Sequence, residues 1–240
     1  KMRKLIGWFG GDDNLIQRLS IEAIRLRDEI GITEEVQLDE NIEFDGHSLP
    51  EGSLELQHWQ DRLDENDIDI FTKCCQYLIE RDNDYDWPTY WTNTKLFRNR
   101  VIIPFTWKGQ IVGYSARSVV DQVKPKYMAH RPAGYVFNTD RQHNDRKFIV
   151  VVEGVFDAIN AGNAIPILGS SLRPTSKLFK AIVMNDTPVF MALDNDAKKK
   201  ENRIINDWLK YDVEVYKIDT SGYDDVGEMP KEVFENRKKG

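Results

Sequence analysis

The sequence predicts an α/β protein in two parts: a parallel sheet with helices on both faces, preceded by a basic segment of mixed α and β character. Three observations predict it. From Arg146 onward, short apolar runs alternate with amphipathic segments, the pattern of buried parallel strands joined by covering helices. Between Arg100 and Arg117, two β-rich runs flank Lys108-Gly109, the pattern of an antiparallel hairpin. The charge is blocked as well. Residues 97–147 carry 10 Lys/Arg against 3 Asp/Glu, whereas residues 1–96 carry 10 against 22 and residues 148–240 carry 13 against 15.

Composition bounds the class. The chain has 240 residues, 40% hydrophobic and 30% charged, with a net charge of −7, values typical of a soluble globular protein. It shows neither a bilayer-length apolar run nor a secretory leader, so a cytoplasmic protein is expected, and a start at Lys1 is expected of a fragment. Cys74 and Cys75 are adjacent, which suits neither a disulfide framework nor a zinc site. The basic block attracts phosphates despite the acidic total, because screening confines exposed charges to a range of about 8 Å; a solvated basic face is the bland alternative.

The elements follow in order. Leu15, Ile16, Leu19, Ile21, Ile24, Leu26 and Ile30 recur at helical spacing, and Gly31 stops the helix expected over 14–30. Residues 33–66 are acidic and aperiodic, with Gly46, Pro50 and Gly52, and read as a linker or loose extension. A second helix is expected over 68–81, burying Ile70, Phe71, Cys74, Tyr77 and Leu78. Strands 101–105 and 111–116 form the hairpin, with Pro104 favouring an edge. Residues 125–132 are basic, bounded by prolines and without period, and read as a loop beside it. Strands are then expected at 148–152, 165–168, 189–193 and 213–218, alternating with helices at 155–161, 176–184 and 198–209.

Carboxylates mark the strand ends. Val152-Glu153-Gly154, Leu193-Asp194-Asn195-Asp196 and Asp224-Asp225-Val226-Gly227-Glu228 each follow an expected strand, and ligands of open α/β sheets bind beyond the carboxyl ends of the strands. Clustered carboxylates repel without a cation, and hard oxygen donors suit Mg²⁺ or Mn²⁺. Asp157 lies one helical turn beyond Glu153 and can ligate through water. Gly154 permits a sharp turn, and Gly169-Ser170-Ser171 permits close approach of backbone to a ligand. Capping of the next helix by Asp194 or Asp196 is the structural alternative, and a lone D-x-D also occurs in hydrolases and glycosyltransferases.

The ordered set Val152-Glu153-Gly154-Val155-Phe156-Asp157-Ala158, Leu168-Gly169-Ser170-Ser171 and Ala192-Leu193-Asp194-Asn195-Asp196 resembles the TOPRIM domain, a Rossmann-like sheet shared by DnaG-type primases, topoisomerases and some nucleases. Upstream, Arg100-Val101-Ile102-Ile103-Pro104-Phe105, Gly113-Tyr114-Ser115-Ala116-Arg117 and Pro125-Lys126-Tyr127 resemble the basic subdomain that precedes TOPRIM in bacterial and phage primases. The resemblance runs from about Cys74 to Glu228. It implies a primase core that synthesises short RNA primers on single-stranded DNA from ribonucleoside triphosphates, with Glu153, Asp194 and Asp196 as the catalytic metal set. Asp157 and Asp225 are implied as further metal ligands. Arg100, Arg117, Lys126 and Tyr127 are implied to bind nucleotide or template, with Tyr127 stacking on a base or packing. Arg98, Lys108, Lys124 and Arg131 are phosphate candidates on charge alone.

The domains expected are an N-terminal helix and acidic extension (1–66), a basic subdomain (67–147), TOPRIM (148–228) and a C-terminal helix or tail (229–240). The sequence departs from the family in two ways. It holds no four-ligand zinc set, and Asp224 stands where phage primases usually have Lys. A phage or mobile-element source, a bacterial or phage-infected cytoplasm, a replicative helicase partner and a monomeric state are expected. Lys198, Lys199 and Lys200 read mainly as a solvated first helical turn, although cations are unfavourable there. The rival functions are a TOPRIM nuclease and a non-catalytic module that binds single-stranded nucleic acid.

Overall fold

The computed structural model describes residues 43–81, 87–137, 148–162, 164–168, 177–184, 187–194 and 197–239. The helix expected over 14–30, the turn Gly169-Ser170-Ser171 and Asp196 lie outside these residues. Two sheets share one core. The first is antiparallel, with strands β1 (Leu54–Glu55), β2 (Tyr90–Trp91), β3 (Arg100–Trp107), β4 (Gln110–Ser118) and β5 (Tyr127–His130) in spatial order 1-2-3-4-5.

The expected hairpin is β3–β4, turning at Lys108-Gly109, both with positive φ. Side chains of β3 alternate between two clusters: Val101, Ile103 and Phe105 enter the main core, while Ile102 packs with Phe97 and Ala116, the period-2 consequence of a pleated strand. Pro104 is not on an edge strand. β3 lies between β2 and β4, but β2 runs for two residues and pairs only Tyr90 with Ile102, so the missing N–H of Pro104 falls beyond its end.

Two segments differ from the sequence reading. Residues 127–130 form strand β5 rather than a loop, with Tyr127 opposite Arg117 and His130 opposite Tyr114. Three of its four side chains are exposed, so an edge strand held by backbone pairing leaves no apolar period to read. Residues 43–66 are not a loose extension. β1 pairs with β2, Trp59 is buried and packs edge-on against Trp91, and Phe44 packs against Trp107 and Tyr135. A few large aromatics anchor this stretch without any regular spacing.

Helix α1 (Ile68–Glu80) buries Ile70, Cys74 and Leu78 at four-residue intervals, the stripe that faces a core. Burial pushes the Cys74 thiol up to about 12, which fits a packing role rather than a ligand.

The second sheet is wholly parallel, with strands β6 (Ile149–Val152), β7 (Ile165–Pro166), β8 (Val189–Ala192) and β9 (Val215–Lys217) in order 7-6-8-9. Helices α2 (Val155–Asn160), α3 (Lys177–Met184) and α4 (Lys198–Leu209) alternate with them, and α5 (Lys231–Lys239) follows. One face buries Val151, Val189 and Met191 against Phe179 of α3 and Trp208 of α4. The other buries Val150, Val152 and Ala192 with Phe156 of α2 and Phe234 of α5, and this cluster continues into Val101, Ile103 and Phe105 of the antiparallel sheet. Among the described residues no helix is long and apolar enough to cross a membrane.

Candidate active site

The central strands β6 and β8 are adjacent and parallel, with Val152 opposite Ala192. Their next residues, Glu153 and Leu193-Asp194, therefore leave the same edge of the sheet side by side, about one strand spacing of 4.8 Å apart. Backbone bonds fix both turns. Ile167 N–H donates to Val152 O at 2.8 Å, the Thr220 hydroxyl donates to Leu193 O at 3.2 Å, and Ala197 N–H donates to Asp194 O at 2.9 Å. The N-cap of α4 is Ala197, so Asp194 does not occupy the capping position.

Glu153 is half-buried. Its Oε1 accepts a 2.8 Å hydrogen bond from Lys200 Nζ, while Oε2 is buried without a hydrogen-bond partner among the described residues. Among the described residues, no group of three or more His, Cys, Asp or Glu side chains is placed to hold a metal ion. Glu153 and Asp194 are thus brought to one edge, and the acids of the third turn are not in their group.

Asp157 and Asp225 belong to a separate cluster. Asp157 is buried; its Oδ2 accepts the Gly154 N–H at 2.8 Å and its Oδ1 accepts the Gly227 N–H at 2.9 Å. It thereby ties the turn after β6 to the turn after β9. Burial, and secondarily Asp225, raise its pKa to about 6 against the opposing pull of those two N–H groups and Arg81. Arg81, 6% exposed, spans Asp225 Oδ1 at 2.9 Å and Glu228 Oε1 at 2.8 Å. Its burial opposes the charge, but Tyr77, Asp225 and Glu228 outweigh this and raise its pKa. Gly227 has no room for a side chain: a Cβ there would lie 2.5 Å from Arg81 Nη1 and 2.9 Å from Asp157 Oδ1.

The basic residues face this cluster. Arg117, 7% exposed, lies 4.9 Å from the Tyr77 ring centre, 5.5 Å from Tyr127 and 5.8 Å from Phe156, and its Nε is buried without a hydrogen-bond partner. Phe156 follows Glu153 by three residues, so the antiparallel sheet meets the E-G-x-x-D turn directly. A cleft of about 380 Å³ lies here, lined by Tyr77, Arg81, Arg117, Lys126, Asp121 and Glu228 among others. Lys126 of its lining is exposed, and so is Tyr127 next to it in the chain.

Arg100 differs from its expected place. It is 1% exposed, with Nη1 donating to Lys126 O at 3.1 Å and Nη2 to Pro125 O at 2.6 Å, and burial lowers its pKa. Its fork supports the backbone that carries Lys126 rather than facing solvent. Arg98 pairs with Asp67 at 3.0 Å. Sequence reasoning missed Arg81, Tyr77 and the contact of Lys200 with Glu153. The one available signal was the unfavourable cation in the first turn of α4; nothing local marks Arg81, whose partners lie more than 140 residues away.

A parallel sheet with strand-end acids, sharing a core with an antiparallel sheet, defines a mixed α/β fold. No family model and no curated protein matches the sequence. Solved structures do match, and the fold is that of DnaG-type primase catalytic cores. The RNA polymerase domain of Mycobacterium tuberculosis primase DnaG, in complex with a double-stranded DNA oligomer with a 6-nucleotide overhang, superposes with a TM-score of 0.57 at 15% identity, over 77% of this chain and 76% of that one. A DnaG primase catalytic domain bound to single-stranded DNA gives 0.53 at 18% identity, over 77% and 74%. The Aquifex aeolicus primase, with zinc-binding and RNA polymerase domains, gives 0.47 at 25% identity, over 67% of this chain, which spans 44% of that structure.

Proposed function

We propose that this chain is the catalytic core of a DNA primase, joining ribonucleotides into short RNA primers on single-stranded DNA, and that its parallel sheet is a TOPRIM domain. The observation that carries the reading is the pairing of Val152 with Ala192, from which the turns bearing Glu153 and Asp194 leave the same carboxyl edge of a sheet with the DnaG-core fold. The donors suit Mg²⁺ or Mn²⁺: both are hard carboxylates, and Oε2 of Glu153, buried and without a partner among the described residues, is costly until a donor or cation meets it. Asp196, two residues after Asp194 in the sequence, would complete the set.

When bound, the metal supplies activation of the primer 3′-hydroxyl and stabilisation of charge on the reacting phosphate and the leaving pyrophosphate. The remaining work is positioning. Arg117 and Lys126 hold triphosphate oxygens in the cleft, where a buried guanidinium with no carboxylate partner among the described residues favours an anion. Arg100 positions Lys126 through its backbone, and Tyr127, 44% exposed, offers a ring to a base. Asp157 and Arg81 position the two turns rather than touching substrate. A replicative helicase is the partner this reading implies, and the cytoplasm of a bacterial or phage-infected cell is the compartment.

The test supplies unprimed single-stranded DNA with labelled ribonucleotides and Mg²⁺ or Mn²⁺. Labelled RNA that disappears in Asp194→Ala supports the primase. Cut DNA without synthesis identifies a nuclease, and binding alone identifies a non-catalytic module.

A further inference from the structure

Lys200 sits in the first turn of α4, where the helix dipole disfavours a cation. Its ammonium nevertheless reaches across to β6 and donates to Glu153 Oε1 at 2.8 Å, with both side chains about 30% exposed. The neighbouring cation on that side of the sheet is taken: Lys217 pairs with Glu201 at 2.5 Å. Lys199 is exposed. Lys200 is therefore the one cation seen on Glu153 among the described residues, and it engages one carboxylate oxygen while leaving the buried other one open.

We propose that Lys200 is a tethered counter-cation that competes with a divalent ion for Glu153. This rests on the metal reading given above. Without metal, the ammonium offsets the charge of a carboxylate held beside Asp194 and keeps it aimed along the sheet edge. A divalent ion arriving at the same carboxylate meets a like charge, so Lys200 must release Oε1 and swing into solvent. The long flexible stem of lysine permits this, whereas a forked arginine would hold both oxygens. Glu153 is thereby kept ordered at low metal concentration, and the concentration at which the metal takes over is raised.

The experiment measures Mn²⁺ binding directly, by the electron paramagnetic resonance signal of free Mn²⁺ over the full chain without nucleotide or DNA. Wild type, Lys200→Met, Lys200→Gln and Asp194→Asn are compared. Partly exposed pairs are modest in strength, so Lys200→Met should bind Mn²⁺ about two- to fivefold more tightly than wild type, with the gap shrinking at high salt as screening weakens the competition. Lys200→Gln should behave alike and serves if the Met variant folds poorly. Equal or weaker binding by both Lys200 variants, with Asp194→Asn still lowering affinity, overturns the counter-cation while leaving the metal reading standing. Failure of every variant to bind millimolar Mn²⁺ overturns both.

Discussion

Asp157 uses one carboxylate to hold two turns, and that double duty makes it sensitive to pH. Its pKa in the folded protein lies near 6, above the ordinary 3.8, chiefly because it is buried. The folded state then binds this proton more tightly than the unfolded chain does, so its contribution to stability is complete below about pH 3.8 and is lost as pH rises through about 6. The full swing is at most about 3 kcal/mol. Melting temperatures of wild type and Asp157→Asn, followed from about pH 4 to about pH 8, check this: wild type should lose ground against the variant as pH rises, and a constant difference would contradict it. Arg81 is the matching cation. Arg81→Met removes a buried partner from Asp225 and Glu228 and leaves Asp157 facing Asp225 alone, which should cost about 3 kcal/mol in urea unfolding. The same substitution should push the Asp157 pKa higher, since Arg81 lowers it.

Elements differ in how far their sequence declares them. The parallel strands are continuous apolar runs because helices cover both faces, and β3–β4 carries its own turn residues, so these were legible. α1 was legible from Ile70, Cys74 and Leu78. β1 and β5 were not, because strands of two and four residues at the sheet margins, with half-exposed or exposed side chains, are specified by their neighbours' backbone. Of the candidate site, the strand-end acids were legible from their place after apolar runs. The burial of Arg100 was not, since its carbonyl partners lie 25 and 26 residues away, and the split between Glu153 with Asp194 and Asp157 with Asp225 depends on how the β9 turn folds back. Gly113 tests the β4–β5 junction. A Cβ there would lie 2.3 Å from His130 O, so Gly113→Ala should push β5 away, destabilise by about 1–3 kcal/mol and speed amide hydrogen exchange over 127–130. Unchanged exchange would show that the edge strand is held otherwise.

At the scale of the molecule, an acidic protein of net charge −7 carries a basic block over residues 97–147, with 10 Lys/Arg against 3 Asp/Glu, and its two sheets share one core. Tyr77 of α1, in the lining of the cleft, packs edge-on against Phe156 of α2 at 5.5 Å, and the Arg117 guanidinium lies over both rings. Arg117→Ala should therefore weaken ribonucleoside triphosphate binding by about tenfold or more, the loss expected for a charge-assisted contact, while single-stranded DNA binding falls less; equal losses of both would place Arg117 on the template instead. Anomalous diffraction from crystals grown with Mn²⁺ addresses the metal position itself. A peak between the carboxylates of Glu153 and Asp194 is expected, reduced or lost in Asp194→Asn. A peak at Asp157 and Asp225 instead, or no peak at millimolar Mn²⁺, would contradict the placement of the chemistry at the ends of β6 and β8.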